Sequence, residues 1–161
     1  GICFIGERNF TKFLENYLPN QPGDIIDIET EEKVGEHIGL MYYTIGQRKG
    51  LHLGGHHEKC YVAKKDLEHN ILYVARGDEN RYLYSSKAII EAFNFLTDER
   101  PSSCTCKFRY RSKDVPIQVE YLDNGDLSLT YEQAKAVTPG QFCCLYQGDI
   151  CLGGGIIKEV F

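Results

Sequence analysis

The cation-rich stretch Lys107-Phe108-Arg109-Tyr110-Arg111-Ser112-Lys113 is the first place where residue types and spacing point to chemistry, because no acid occurs between Arg100 and Asp114. Alternate residues of a strand share a face, so a strand running through Arg111 aligns Lys107, Arg109, Arg111 and in part Lys113, with Phe108 and Tyr110 opposite. Such a ridge suits guanidinium–phosphate pairing. The same pattern also fits the solvated face of an edge strand kept charged against aggregation. Cys3 is the second candidate. Its neighbours are apolar, and Arg8 favours a thiolate if the chain turns back; a small buried residue is the other reading.

Tyr42-Tyr43-Thr44-Ile45-Gly46-Gln47-Arg48-Lys49-Gly50-Leu51 sets aromatic, amide and basic side chains beside glycines. It suits RNA contact by stacking and phosphate pairing, or equally a turn whose Gln and Arg satisfy backbone groups. His52, His56 and His57 stand near Glu58 and Cys60 without standard zinc spacing, and read as a polar loop with no metal site. Gly153-Gly154-Gly155 lacks the Lys-Ser/Thr ending of a phosphate loop and opens no helix. It is expected to permit close backbone packing or a bulge. There is no Ser-His-Asp ordering, paired-acid signature or dinucleotide fingerprint.

The elements that must position these residues are mostly strands. Phe10, Phe13, Leu14, Tyr17 and Leu18 recur at helical spacing, with Asn9 or Thr11 as N-cap and Pro19 as terminator, predicting one short amphipathic helix over 7–18. Beyond Pro22-Gly23 come short β-prone runs at 24–28, 42–45, 61–63 and 71–75, then longer ones at 86–95, 104–111, 117–122, 127–131, 142–146 and 150–159. Asp123-Asn124-Gly125-Asp126 predicts a hairpin with a tight primed turn. Strands at regular spacing with turn signals imply a closed barrel or sandwich, with a boundary near 82–86.

Composition bounds the rest. Hydrophobic residues make up 42% and charged residues 25%, enough for a packed core. No run approaches the roughly 18 consecutive apolar residues of a membrane helix. With 18 basic against 23 acidic residues, the net charge of −5 excludes a wholly basic nucleic-acid binder while leaving room for a local basic patch. Seven cysteines, an odd and irregular set with no C-x-x-C pair and no secretory layout at the N-terminus, favour a reduced, cytoplasmic setting. The only methionine is Met41, so residue 1 is not an initiator and the chain reads as part of a longer protein.

Gly1-Ile2-Cys3-Phe4-Ile5-Gly6-Glu7-Arg8 resembles the catalytic-cysteine segment of the bacterial tRNA-specific 2-thiouridylases. Gly39 to Leu51, Lys107 to Arg111, and Thr138-Pro139-Gly140-Gln141 with Asp149 to Gly155 resemble the same family in the same order, so the resemblance spans the chain. It implies an enzyme that thiolates the wobble uridine of tRNA. ATP and Mg2+ act in an N-terminal domain outside these residues, where the C2 oxygen is adenylated. Cys3 would carry the persulfide, assisted by a second cysteine of that domain through disulfide chemistry. A cysteine desulfurase or sulfur relay protein would be the donor, with no DNA or membrane partner. The family's tRNA contacts fall on Arg109, Tyr110 and Gln141, with Lys107 and Arg111 beside them.

The fold implied is mainly β. Residues 1–20 would hold the cysteine segment and helix, 21–83 a small central β domain, and 84–161 a six-stranded antiparallel barrel similar to domain 2 of elongation factor Tu. These residues alone are expected to be inactive and to bind no cofactor or metal. The rival reading is a non-catalytic RNA-binding β-barrel module with no use for Cys3.

Overall fold

The computed structural model describes residues 13–54 and 59–161. Cys3 and the first half of the predicted helix lie outside the described residues. At its end the chain completes a helical turn, with the Leu18 N–H donating to the Leu14 carbonyl at 2.9 Å before Pro19. The chain divides into two compact units between Leu83 and Tyr84.

The first unit is a four-stranded sheet of β1 (Gly23–Asp27), β2 (Lys33–His37), β3 (Cys60–Asp66) and β4 (Ile71–Arg76), in the order β2-β1-β4-β3. The β1–β4 pair is parallel and the other two pairs are antiparallel. Ile25, Val62, Leu72 and Val74, all fully buried, make its core. At the end of β1, Asp27 is also buried. Its Oδ1 accepts the Glu29 and Thr30 N–H groups at 3.0 and 3.2 Å, and its carboxylate pairs with Arg76 at 2.6 Å. That combination lets a carboxylate sit in a core, since its acceptor sites face donors and a countercharge.

One element differs from expectation. Residues 42–45 form no strand: Leu40–Tyr42 is a 3-10 turn, and Tyr42 and Tyr43 are both buried, which period-2 alternation cannot achieve. Conversely β2 escaped the sequence reading, because Lys-Val-Gly-Glu-His carries little β-propensity and is held by its partner β1.

The second unit is a closed barrel in the order β10-β5-β8-β7-β6-β9, from β5 (Tyr84–Phe95), β6 (Ser103–Lys107), β7 (Val115–Tyr121), β8 (Leu127–Lys135), β9 (Phe142–Gln147) and β10 (Ile150–Val160). Every pairing within it is antiparallel. Closure leaves no unpaired strand edge. Inward positions such as Ile90, Cys106, Leu129, Leu145 and Ile157 fill the interior. Gly153–Gly155 lies within β10, where register shifts mark bulges against both neighbours. Gly153 has φ +149°, and a Cβ there would stand 2.2 Å from the Asn94 carbonyl oxygen, so only glycine lets β10 approach β5.

The Asn-Gly hairpin forms between β7 and β8, but not as a primed turn. Gly125 has φ +87° while Asn124 is not among the positive-φ residues, and the Gly125 N–H closes onto the Leu122 carbonyl at 3.0 Å. A primed turn of the common two-residue kind would need positive φ at both positions.

Candidate nucleic-acid interface

The predicted basic strand ends early. β6 stops at Lys107, and Phe108 turns into the barrel, buried against Tyr131 with ring centroids 5.0 Å apart. Burial of an aromatic this large outweighs continuation of a short strand. The chain then reverses at Arg109–Ser112. The Ser112 N–H and hydroxyl both donate to the Arg109 carbonyl, at 3.0 and 2.8 Å, and the Arg109 N–H donates to Ser112 Oγ at 3.3 Å.

The single ridge of cations expected from strand alternation is therefore replaced by a turn. Arg109, Tyr110 and Arg111 are exposed on it, Tyr110 to 91%, so Arg109 and Tyr110 no longer need opposite faces. Lys107 is separate. It stays on the outer wall of β6, 3.2 Å from Asp114 and above the Tyr146 ring, which leaves it partly neutralised.

Gln141 reaches the same end of the barrel by a different route. Thr138-Pro139-Gly140-Gln141 is a turn with Pro at its second position and Gly140 at φ +84°, closed by Gln141 N–H to the Thr138 carbonyl at 3.2 Å. It is stitched to β10 by Gly140 N–H to the Ile157 carbonyl at 2.7 Å and Ile157 N–H to the Gln141 carbonyl at 2.8 Å.

The two turns share one acceptor. The Ala136 carbonyl receives Arg109 Nη2 at 2.9 Å and Thr138 Oγ1 at 3.0 Å. Phe142 follows Gln141 directly at the start of β9. Phe142 is 69% exposed and was not singled out from the sequence. Arg109, Tyr110, Arg111, Gln141 and Phe142 thus gather at one rim. Gln141 is half-buried, and its Oε1 has no hydrogen-bond partner among the described residues. An arginine held by a carbonyl and an exposed tyrosine can together meet phosphate and base groups.

Three of the barrel's cysteines are shielded as nucleophiles. All cysteines among the described residues are free thiols. Cys106 is held far above the ordinary thiol range by its hydrogen bond with Cys143 and by burial, and burial also pushes Cys104 and Cys144 up. Thiols so placed stay protonated.

In the first unit, Gln47 takes the structural role. Its Oε1 accepts the Thr44 N–H at 3.0 Å and its Nε2 donates to the Lys49 carbonyl at 2.9 Å. Tyr42 hydrogen-bonds the Leu18 carbonyl at 3.1 Å, and with Tyr43 buried neither ring is available for stacking. His56, His57 and Glu58 lie outside the described residues. Among the described residues no group of three His, Cys, Asp or Glu side chains could hold a metal, and no helix is long and apolar enough to cross a membrane.

Comparison with known proteins places this geometry. Residues 11–76 match a family model described as a tRNA methyl transferase PRC-barrel domain, and residues 85–157 one described as an aminomethyltransferase beta-barrel domain. The tRNA-specific 2-thiouridylase of Mesoplasma florum is 52% identical over 168 residues, covering 99% of this chain and 45% of the relative. That of Metamycoplasma arthritidis is 53% identical over 162 residues, covering 100% and 44%, and that of Chlamydia trachomatis is 48% identical over 160 residues, covering 98% and 45%. The chain therefore spans less than half the length of these relatives, and it belongs to the tRNA-specific 2-thiouridylase family, matching that family's central and C-terminal domains.

Proposed function

We propose that this chain is the tRNA-holding part of an enzyme that replaces the C2 oxygen of a wobble uridine with sulfur. The observation that carries the reading is the near-complete coverage of the chain by relatives about half identical and named for that activity. The Arg109–Tyr110–Gln141 rim adds a physical reason, since it sets an oriented guanidinium beside an exposed aromatic ring and a half-buried amide in a chain that is otherwise acidic. Residues 1–20 would be the tail of the nucleotide-handling domain and 21–83 a central module. Residues 84–161 would be the barrel that grips the tRNA.

Cys3 is assigned the persulfide. Once the uridine C2 oxygen has become a leaving group, the outer sulfur attacks C2 and that oxygen departs with its electron pair. The remaining S–S bond must then be cleaved with two electrons, which a second thiol supplies by forming a disulfide with Cys3. ATP and Mg2+ would serve the activation step. No described residue is assigned to them, and the glycine run at 153–155 is a bulged barrel strand. The sulfur donor would be a desulfurase or relay protein that loads Cys3, in the cytoplasm.

Binding of unmodified tRNA to this chain tests the rim. Arg109→Ala should weaken binding about tenfold and lower the slope of log K against log salt by about one. An unchanged slope and affinity would remove the rim from tRNA recognition. Binding that survives with no role for Cys3 in thiolation would favour the non-catalytic RNA-binding module.

A further inference from the structure

The acid-free run from His37 to His57 is not absorbed by the rim of the barrel. In the first unit it presents Arg48, Lys49 and His52, and Lys59 joins them at the start of β3; all four are exposed. Arg48, His52 and Lys59 line a groove of about 310 Å3 floored by Leu51, Leu53 and Cys60. Neither Arg48 nor Lys59 has an ion-pair partner among the described residues. Elsewhere in the same unit Lys33 pairs with Asp24 and Glu36, and Arg76 with Asp27. Cations without an ion pair among the described residues, gathered at one groove, are a local basic patch in a chain of net charge −5.

The scaffold under them is fixed. Both ends of the Gln47 amide bind the loop backbone, and the loop is sewn to β3 by Gly46 N–H to the Val62 carbonyl at 2.7 Å and Val62 N–H to the Gln47 carbonyl at 2.9 Å. Buried Leu51 anchors the far side, and the backbone turns through positive φ at Gly50 (+82°) and at His52 (+49°), an uncommon conformation for a non-glycine residue. With Tyr42 and Tyr43 in the core, the described residues lining the groove bring basic groups and no Phe, Tyr or Trp ring, so the ligand it fits is a phosphate chain and not a base.

We infer that Arg48, Lys49 and Lys59, with His52, form a second contact with the RNA phosphate backbone, independent of sequence and on a different unit from the Arg109 rim. The inference rests on the reading above that the ligand is tRNA. Arg48, Lys49 and Lys59 each displace counterions from the phosphates, so each contributes about one to the salt slope.

The test uses this chain, unmodified tRNA and a salt titration, with thermal melts confirming that every variant is folded. Arg48→Gln/Lys49→Gln should weaken binding at least tenfold and lower the salt slope by about two, and Lys59→Gln alone should lower it by about one. The double variant should be equally impaired toward tRNAs of different sequence. Wild-type binding in both double and Lys59 variants, with Arg109→Ala still impaired, overturns this inference and leaves the tRNA reading standing. No binding by the folded wild type overturns both. Inorganic pyrophosphate or polyglutamate binding that depends on Arg48 and Lys49, while tRNA binding does not, would assign the groove to a small anion or an acidic protein and overturn the RNA contact.

Discussion

Arg109 is held at one end by the turn that Ser112 closes and at the other by the Ala136 carbonyl, so its direction is set before any ligand arrives. Arg109→Lys should therefore keep most of the salt dependence, since the charge remains. It should lose affinity, because an ammonium cannot reproduce the planar fork; the tRNA titration that tests Arg109→Ala reads both quantities. The turn that frees Tyr110 was not legible from alternation, which assumed a strand through Arg111. What ended the strand was Phe108, whose ring prefers the Tyr131 contact inside the barrel.

A second residue-scale expectation concerns Asp27. Burial opposes its ionisation, but the Glu29 and Thr30 N–H groups and the Arg76 charge outweigh it and hold its carboxyl below the ordinary 3.8. A carboxyl depressed in the folded state adds stability that is present above its unfolded value and lost as pH falls toward the folded one. Asp27→Asn should thus cost about 1–3 kcal/mol at neutral pH. It should also flatten the fall in stability below about pH 4. Denaturant melts across the acid range check both, and a variant with the wild-type acid limb would contradict the assignment.

At the scale of elements, the barrel depends on β10 passing close to β5. Gly153→Ala places a Cβ on the Asn94 carbonyl in a backbone conformation closed to alanine, and should cost upwards of about 3 kcal/mol. Gly125→Ala meets open space and bears only the cost of its positive φ, about 1 kcal/mol. Equal losses in thermal melts would mean that the close approach is not what selects glycine at 153. Strands of the barrel were readable because alternate residues such as Leu127 and Leu129, or Cys143 and Leu145, point inward at period two. β2 and the 3-10 turn at Leu40–Tyr42 were not, since β2 is polar and consecutive buried tyrosines belong to neither period. Within the rim, Arg109, Tyr110 and Gln141 were named from resemblance to a family. Phe142 passed as an ordinary strand residue, because its exposure follows from the closed barrel and not from its neighbours in sequence.

For the whole molecule, two compact units divide the work proposed here, with a basic groove on the first and a basic–aromatic rim on the second. Both are proposed as binding surfaces, and the chain spans about 45% of the length of its relatives. The proposed chemistry assigns the sulfur to Cys3, while the Cys143 hydrogen bond and burial push the Cys106 thiol up and burial pushes Cys104 and Cys144 up. The most direct measurement uses the protein extended upstream to the length of those relatives. It is incubated with ATP, magnesium, a sulfide donor and unmodified tRNA, and 2-thiouridine is quantified by mass spectrometry for wild type and Cys3→Ser. The account predicts 2-thiouridine from the wild type and none from Cys3→Ser, with tRNA binding equal in the two. Equal product from Cys3→Ser, or none from a folded wild type that binds tRNA, would contradict it.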